Sequence, residues 1–273
     1  MDCDLEACYA AAVHVAKEAA VLIREAYDTE KRVETKSSVA DLVTETDQAV
    51  ERFIISNLTS QFPTHSFIGE ESVDEGEKCV WSENPTWIID PIDGTTNFIH
   101  RFPYSCISIA LSVNKKIVIG VVYNPILDQM YTARAGKGSF CNGKKINVTK
   151  TRDIGRALVC AEFGSDRDPK KLKKKIDMKA KIIARCHGIR STGSAALSCC
   201  SVAAGHADAF YANGVHCWDF AAGGLIVTEA GGVLLDVTGE PVDLMCRRVL
   251  CASTKELAEH LVGFLEPIDY ERD

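Results

Sequence analysis

The chain has 273 residues and a mass of 29.8 kDa, with 46% hydrophobic and 25% charged residues. That composition excludes a disordered chain, a collagen-like repeat and a coiled coil, and supplies enough apolar surface for a substantial core. Thirty-one Lys plus Arg against 38 Asp plus Glu give a formal charge of -7 and a pI near 5.6, which argues against a general nucleic-acid or anionic-membrane binder.

In chain order, Leu5, Cys8, Ala12, Val15, Ala19, Leu22 and Ala26 recur at helical spacing and predict a long amphipathic first helix. The polar stretch Thr29 to Ala40 reads as a mobile loop. A second helix is expected from about Glu45 to Leu58, with Val50, Phe53, Ile54 and Leu58 facing inward. His65 to Gly69 and Trp87 to Asp90 read as strands, the second stopping at its aspartate. Ser105 to Val113 and Lys116 to Tyr123 form an expected hairpin across Asn114-Lys115, and Asn142-Gly143 marks another tight turn. Ala157 to Glu162 reads as a strand, Pro169 to Lys179 as a helix, and Ser194 to Ala204 as a helix of small residues. The last third alternates: strand 207–211, helix 218–230, strands 232–237 and 248–252, then a helix from about Thr254. Mixed hairpins and crossovers predict a layered α/β or α+β domain.

Twelve cysteines are scattered along the chain from Cys3 to Cys251, and the start, with Asp2, Asp4 and Glu6, lacks the basic and apolar regions of a signal peptide. No segment approaches the ~20 uninterrupted apolar residues of a membrane span. Reduced, largely buried thiols in a cytoplasmic protein are the expectation. The basic run Lys170, Lys171, Lys173, Lys174 and Lys175 lies on a predicted helix in an acidic chain and reads as a solvated face.

Three carboxylate segments carry the chemistry. Gly69-Glu70-Glu71-Ser72 follows a strand, Asp90-Pro91-Ile92-Asp93-Gly94-Thr95-Thr96-Asn97-Phe98 ends another, and Trp218-Asp219 opens a helix. Oxygen ligands with few nitrogen or sulfur partners suit a hard cation such as Mg²⁺. Pro91 holds Asp90 extended, Asp90 and Asp93 are placed to converge with the Ile92 carbonyl between them, and Gly94 permits a tight turn into a helix start. Free N–H groups at such a start bind phosphate. Metal ligands beside an anion cradle is the logic of metal-assisted phosphoryl transfer. The Asp-x-Asp-Gly-Thr nucleophile motif of haloacid-dehalogenase-type phosphatases is one residue shorter than Asp90-x-x-Asp93-Gly-Thr, so a metal-activated water is favoured over a phosphoaspartate.

These residues, with Lys36-Ser37-Ser38, Asp41-Leu42-Val43-Thr44-Glu45-Thr46-Asp47 and His187-Gly188-Ile189-Arg190-Ser191, make the chain resemble the animal inositol monophosphatases nearly end to end. That family lies within the lithium-sensitive, Mg²⁺-dependent sugar-phosphatase superfamily. The resemblance implies a single domain over 1–273, with two α/β halves of about 1–145 and 146–273. Its fold would be the five-layered αβαβα sandwich of the inositol monophosphatase/fructose-bisphosphatase type. It further implies a homodimer hydrolysing inositol monophosphates by direct attack of a metal-activated water, with two to three Mg²⁺ per site.

Carried over by position, Glu70, Asp90 and the Ile92 carbonyl would bind one Mg²⁺. Asp90, Asp93 and Asp219 would bind a second, and a weaker third would sit near Glu70. Thr95 with Glu70 would deprotonate the water, supported by Asp47. The N–H groups of Gly94 and Thr95 would hold phosphate; Asp93, Gly193, Ser194, Ala195 and Asp219 would line the sugar side, under a loop carrying Lys36.

The family commonly has a glutamate where this chain has Ala212, which points to galactose 1-phosphate or another polyol phosphate as the alternative substrate. A non-catalytic polyol-phosphate binder is the second alternative. Singly, Asp93 or Asp219 would read as a helix cap. His187, His206 and His216 near several cysteines fit no zinc spacing.

Overall fold

The computed structural model describes residues 4–29, 31–36 and 38–273; Asp2, Cys3 and Ser37 of the sequence reading lie outside these. The first helix, α1 (Leu5–Tyr27), is capped by the Asp4 carboxylate, which accepts from the N–H groups of Glu6 and Ala7. It buries Cys8, Ala12, Val15, Ala19 and Ile23, whereas Leu5 is exposed. The stretch expected to be a loop contains a strand instead. β1 (Val33–Thr35) pairs antiparallel with β2 (Leu42–Thr44), and the Lys36 N–H donates to the Asp41 carbonyl. Three exposed residues with no apolar alternation carry no pattern that could have predicted it. α2 (Glu45–Gln61) buries Val50, Ile54 and Leu58, and its Thr44 and Asp47 form a reciprocal capping box.

Seven strands then build one sheet in sequence order: β3 (Ser66–Gly69), β4 (Thr86–Asp93), β5 (Cys106–Val113), β6 (Lys116–Asn124), β7 (Gln129–Arg134), β8 (Gly138–Cys141) and β9 (Lys144–Ile146). Short helices α3 (Glu70–Asp74) and α4 (Thr95–Ile99) follow β3 and β4. β3 runs parallel to β4; each later pair is antiparallel. Asn114 and Lys115 close the β5–β6 hairpin with φ of 51° and 56°, the left-handed pair that a two-residue turn requires.

A second sheet has the order β11-β10-β12-β14-β13, from β10 (Leu158–Ala161), β11 (Gly188–Arg190), β12 (Ala209–Asn213), β13 (Val233–Leu235) and β14 (Arg248–Ala252). The remaining helices are α5 (Pro169–Ile183), α6 (Ala195–Ala203), α7 (Cys217–Glu229) and α8 (Lys255–Val262). Three apolar cores define five layers. α1 and α2 pack on the outer face of the large sheet, α6 and α7 fill the space between the sheets, and α5 and α8 cover the small sheet. Because both faces of the large sheet are covered, every residue of β4 is buried, which explains its continuous apolar run. Within the basic run, Lys175 departs from the solvated face: it is buried, and its ammonium donates to the Phe163 carbonyl at 2.6 Å. None of the helices among the described residues is long and apolar enough to cross a membrane.

β4 does not stop at Asp90. It continues to Asp93, with Asp90 opposite Ser108 and Asp93 opposite Cys106, so three steps on β4 match two on β5. Pro91 has no N–H to give the ladder, and the extra residue is taken up as a bulge rather than a strand end. In a regular strand, residues three apart face opposite sides. The bulge shifts the alternation, so Ile89 and Ile92 both enter the outer core.

The middle layer depends on close approach. A Cβ on Gly120 of β6 would lie 2.6 Å from the Ala222 carbonyl of α7. Gly120→Ala is therefore expected to push α7 off the sheet and cost about 1–3 kcal/mol. Denaturant unfolding would show this as a lower midpoint; an unchanged midpoint would contradict the packing described.

Candidate active site

The strand ends and helix starts of the two sheets open into one cleft of roughly 830 Å³. Glu70, Asp90, Ile92, Asp93, Gly94, Thr95, Gly193, Ser194, Ala195 and Asp219 all line it. Asp47 lies beneath it, buried, with Oδ1 accepting from the Thr95 hydroxyl at 3.1 Å. One oxygen from each of Asp90, Asp93 and Asp219 lies within 4.8 Å of the others. The β4 bulge supplies two of these on one face, and the first turn of α7 supplies the third.

Each carboxylate is held differently. Asp93 Oδ2 accepts from the Ser194 hydroxyl at 2.5 Å and the Ala196 N–H at 2.7 Å, so it caps α6 from across the layers. Asp219 Oδ2 accepts from the His216 N–H at 2.8 Å in a capping box of its own helix. Asp90 Oδ1 is buried without any hydrogen-bond partner. An orphaned carboxylate oxygen beside two further carboxylates is costly by itself and fits an oxygen-liganded cation.

The same crowding moves the titrations. Burial, then Asp219, pushes Asp93 up to about 8. Burial, then Glu70 and Asp93, holds Asp90 well above the usual carboxylate range. Burial lifts Asp219 to about 6. Asp47 also rises to about 6 through burial, against the lowering effect of its bond from Thr44. Glu71 reaches about 8, through burial and then the charge of Glu70.

Gly94 adopts φ 91° and carries no side-chain cap for α4. A Cβ there would meet the Gly193 and Tyr104 carbonyls at 3.0 Å, so the turn requires glycine. The uncapped start of α4 faces the cleft through Gly94 and Thr95. Within α4, Asn97 donates to the Tyr104 and Thr192 carbonyls at 2.8 and 2.7 Å and ties the helix to the 191–195 turn. Glu162 accepts from the N–H groups of Thr192 and Gly193 and fixes the same turn. In the sequence Asn97 belongs to the Asp90–Phe98 segment and Glu162 ends an expected strand, but neither shows there what it binds.

Lys36 reaches over the rim to Glu70 at 3.2 Å, Glu71 at 3.0 Å and Asp74 at 2.6 Å. Burial alone would lower its pKa, but these carboxylates outweigh that effect and raise it. Ala212, at the end of β12, faces the middle core and is buried, and the adjoining cleft wall is made by Gly214, Val215 and His216. Arg167 and Arg247 also line the cleft, and neither belongs to a motif singled out in the sequence.

The model of the inositol monophosphatase family matches residues 4–269. The chain is 52% identical over 267 residues to inositol monophosphatase 1 of Homo sapiens, covering 97% of this chain and 96% of that protein. It is 49% identical over 269 residues to the human inositol monophosphatase 2, covering 98% and 93%. The crystal structure of extragenic suppressor protein suhB from Bartonella henselae superposes with a TM-score of 0.85 at 30% identity, covering 94% of this chain and 98% of that one. With the family model spanning the chain from α1 to the last residues, and the fold shared as well, the chain belongs to the inositol monophosphatase family.

Proposed function

We propose that this protein is a Mg²⁺-dependent phosphomonoesterase that hydrolyses inositol monophosphates to inositol and phosphate. The carrying observation is the trio Asp90, Asp93 and Asp219, with ligand oxygens within 4.8 Å and one of them buried unpartnered. Glu70, Asp90 and the Ile92 carbonyl would hold one cation, Asp90, Asp93 and Asp219 a second, and Glu70 a weaker third. Bound there, Mg²⁺ supplies charge for the phosphate oxygens and acidifies water.

The chain's own groups do the rest. The Thr95 hydroxyl lies 3.1 Å from both Asp47 Oδ1 and the Ile92 carbonyl, so its hydrogen is directed inward to one of these acceptors. Its lone pairs are left to accept a hydrogen bond from water in the cleft, and a proton taken from that water is balanced by Thr95 passing its own to Asp47, with Glu70 as the second acceptor. Asp47, lifted to about 6, is basic enough at neutral pH to keep Thr95 in that orientation. The open N–H groups of Gly94 and Thr95 receive the phosphate. Asp93, Gly193, Ser194, Ala195 and Asp219 form the sugar side.

Loss of the family's glutamate at Ala212 removes one acceptor for an alcohol hydroxyl, worth about 0.5–1.5 kcal/mol. That observation favours galactose 1-phosphate or another polyol phosphate as the second reading. A homodimer belongs to the same family reading, as does the division of one domain into halves near residue 145, while a cytoplasmic location rests on the cysteine usage and the N-terminal residues.

The direct test is Mg²⁺-dependent phosphate release from myo-inositol 1-phosphate, galactose 1-phosphate and an aryl phosphate. Preference for the inositol ester is expected; no release from any ester by folded, Mg²⁺-supplied protein would leave a binding protein instead. Asp93→Asn is expected to keep the fold and lower kcat by about 10²–10³-fold or more. Near-wild-type kcat in that variant would sink the ligand assignment. Ala212→Glu puts a carboxylate into the middle core behind the Gly214–His216 wall, so it is expected to lower Tm, and to lower KM for myo-inositol 1-phosphate by up to about tenfold as the longer side chain reaches the cleft; an unchanged or higher KM would mean the wall has been rebuilt around alanine.

The raised carboxylates set a pH dependence. Their folded pKa values exceed the unfolded ones, so their contribution to stability is full at low pH and is lost as pH rises toward about 8. Mg²⁺ should therefore raise Tm more at pH 8 than at pH 6, and its binding at pH 7 should release protons. Calorimetry in buffers of different ionisation enthalpy reads both effects; pH-independent Mg²⁺ binding would contradict them.

A further inference from the structure

Asp47 and Glu51 stand one turn apart on α2, on the same face, and both are buried. Asp47 reaches Thr95. Glu51 reaches the other side of the cleft floor: Oε2 accepts from the Glu71 N–H at 2.8 Å, and Oε1 accepts from the Ser72 N–H at 2.8 Å and the Ser72 hydroxyl at 2.6 Å. These are the first-turn N–H groups of α3, which Gly69 opens without a capping side chain. Glu51 therefore caps α3 from another helix, and a charged acceptor makes those bonds strong.

Gly69 is part of the same device. Its φ is -114°, which any residue adopts, so the glycine is not there for the backbone. A Cβ at Gly69 would lie 2.6 Å from Glu51 Cδ and Oε1 and 2.7 Å from Oε2. The missing side chain is the space through which the carboxylate enters. Glu70 is the residue between the glycine and the two clamped amides.

We propose that Glu51 is a positioning residue for the reaction: through Gly69 and the α3 amides it fixes Glu70, while Asp47 fixes Thr95. α2 then acts as a rigid spacer, with its two carboxylates about 6 Å apart along the axis. The two groups that handle the attacking water are thereby held by one helix. Lys36 adds charge to the Glu70 side but touches no α3 amide, so it cannot set the turn. The inference rests on the active-site reading above and deepens it.

The test compares Glu51→Ala, Glu51→Gln, Gly69→Ala and the double variant Glu51→Ala/Gly69→Ala with wild type. Mg²⁺ binding is measured by calorimetry without substrate, alongside kcat, KM at saturating Mg²⁺, and Tm. Glu51→Ala and Gly69→Ala are each expected to weaken Mg²⁺ binding by about 10–100-fold and to lower kcat, with substrate KM nearly unchanged. Glu51→Gln, which keeps the shape and one acceptor oxygen, should recover part of the loss. The double variant should be no worse than Glu51→Ala, because the added methyl group then has no carboxylate to displace.

Mg²⁺ binding and kcat within about twofold of wild type in Glu51→Ala, or multiplying effects in the double variant, would overturn the proposal. If Glu51→Ala does not fold, Gly69→Ala and Glu51→Gln decide it by the same two readouts. A wild-type protein that neither binds Mg²⁺ nor turns over would overturn the active-site reading and this inference with it. A competent wild type with unaffected variants would overturn this inference alone.

Discussion

One extra residue in β4 organises the site. Without the bulge at Pro91-Ile92, Asp90 and Asp93 would point to opposite faces of the sheet, one of them into the apolar core under α1 and α2. With it, both face the middle layer, where the first turn of α7 brings Asp219. Three carboxylates are then forced together in a buried place where each raises the proton affinity of its neighbours. The fold stores unfavourable charge at the spot where a cation would relieve it.

The rest of the architecture limits that cost with helix termini. Asp93 is not only a ligand candidate; it caps α6, whose N–H groups stabilise a negative charge at that end. Asp219 and Asp47 sit in capping boxes, and Glu51 serves α3 from a distance. The carboxylates come from one sheet and from helices on both of its faces: Asp90 and Asp93 from β4, Glu70 from α3, Asp47 and Glu51 from α2 on the outer face, and Asp219 from α7 in the middle layer. Small residues along α6 and α7 allow those helices to lie close enough, as the contact of Gly120 with Ala222 shows.

Much of this was legible in the sequence because it is local. The α1 stripe beyond Leu5 and the turns at Asn114-Lys115 and Asn142-Gly143 lie where expected, and the Asp-Pro-Ile-Asp-Gly-Thr segment declares its turn at Gly94 within a few residues, although its strand runs on to Asp93. Glu70, Asp90, Asp93, Asp219, Gly94, Thr95 and the 193–195 turn line one cleft, with Asp47 beneath it. What escaped was non-local or patternless. Pro91 looked like a strand terminator because nothing in one strand shows the residue count of its neighbour. The β1–β2 pairing and the three-residue β11 are too short for alternation to register. Glu51, Asn97 and Glu162 find their partners 20, 95 and 30 residues away, distances over which sequence spacing carries no signal.

The proposed cation site lies where the bulged end of β4 meets the start of α7. Anomalous diffraction from crystals soaked in Mn²⁺, a scattering substitute for Mg²⁺, tests it most directly. Density among Asp90, Asp93 and Asp219 is expected, and its loss in Asp93→Asn crystals. Saturating Mn²⁺ with no density among these three carboxylates, or density unchanged by that substitution, would contradict the proposed site.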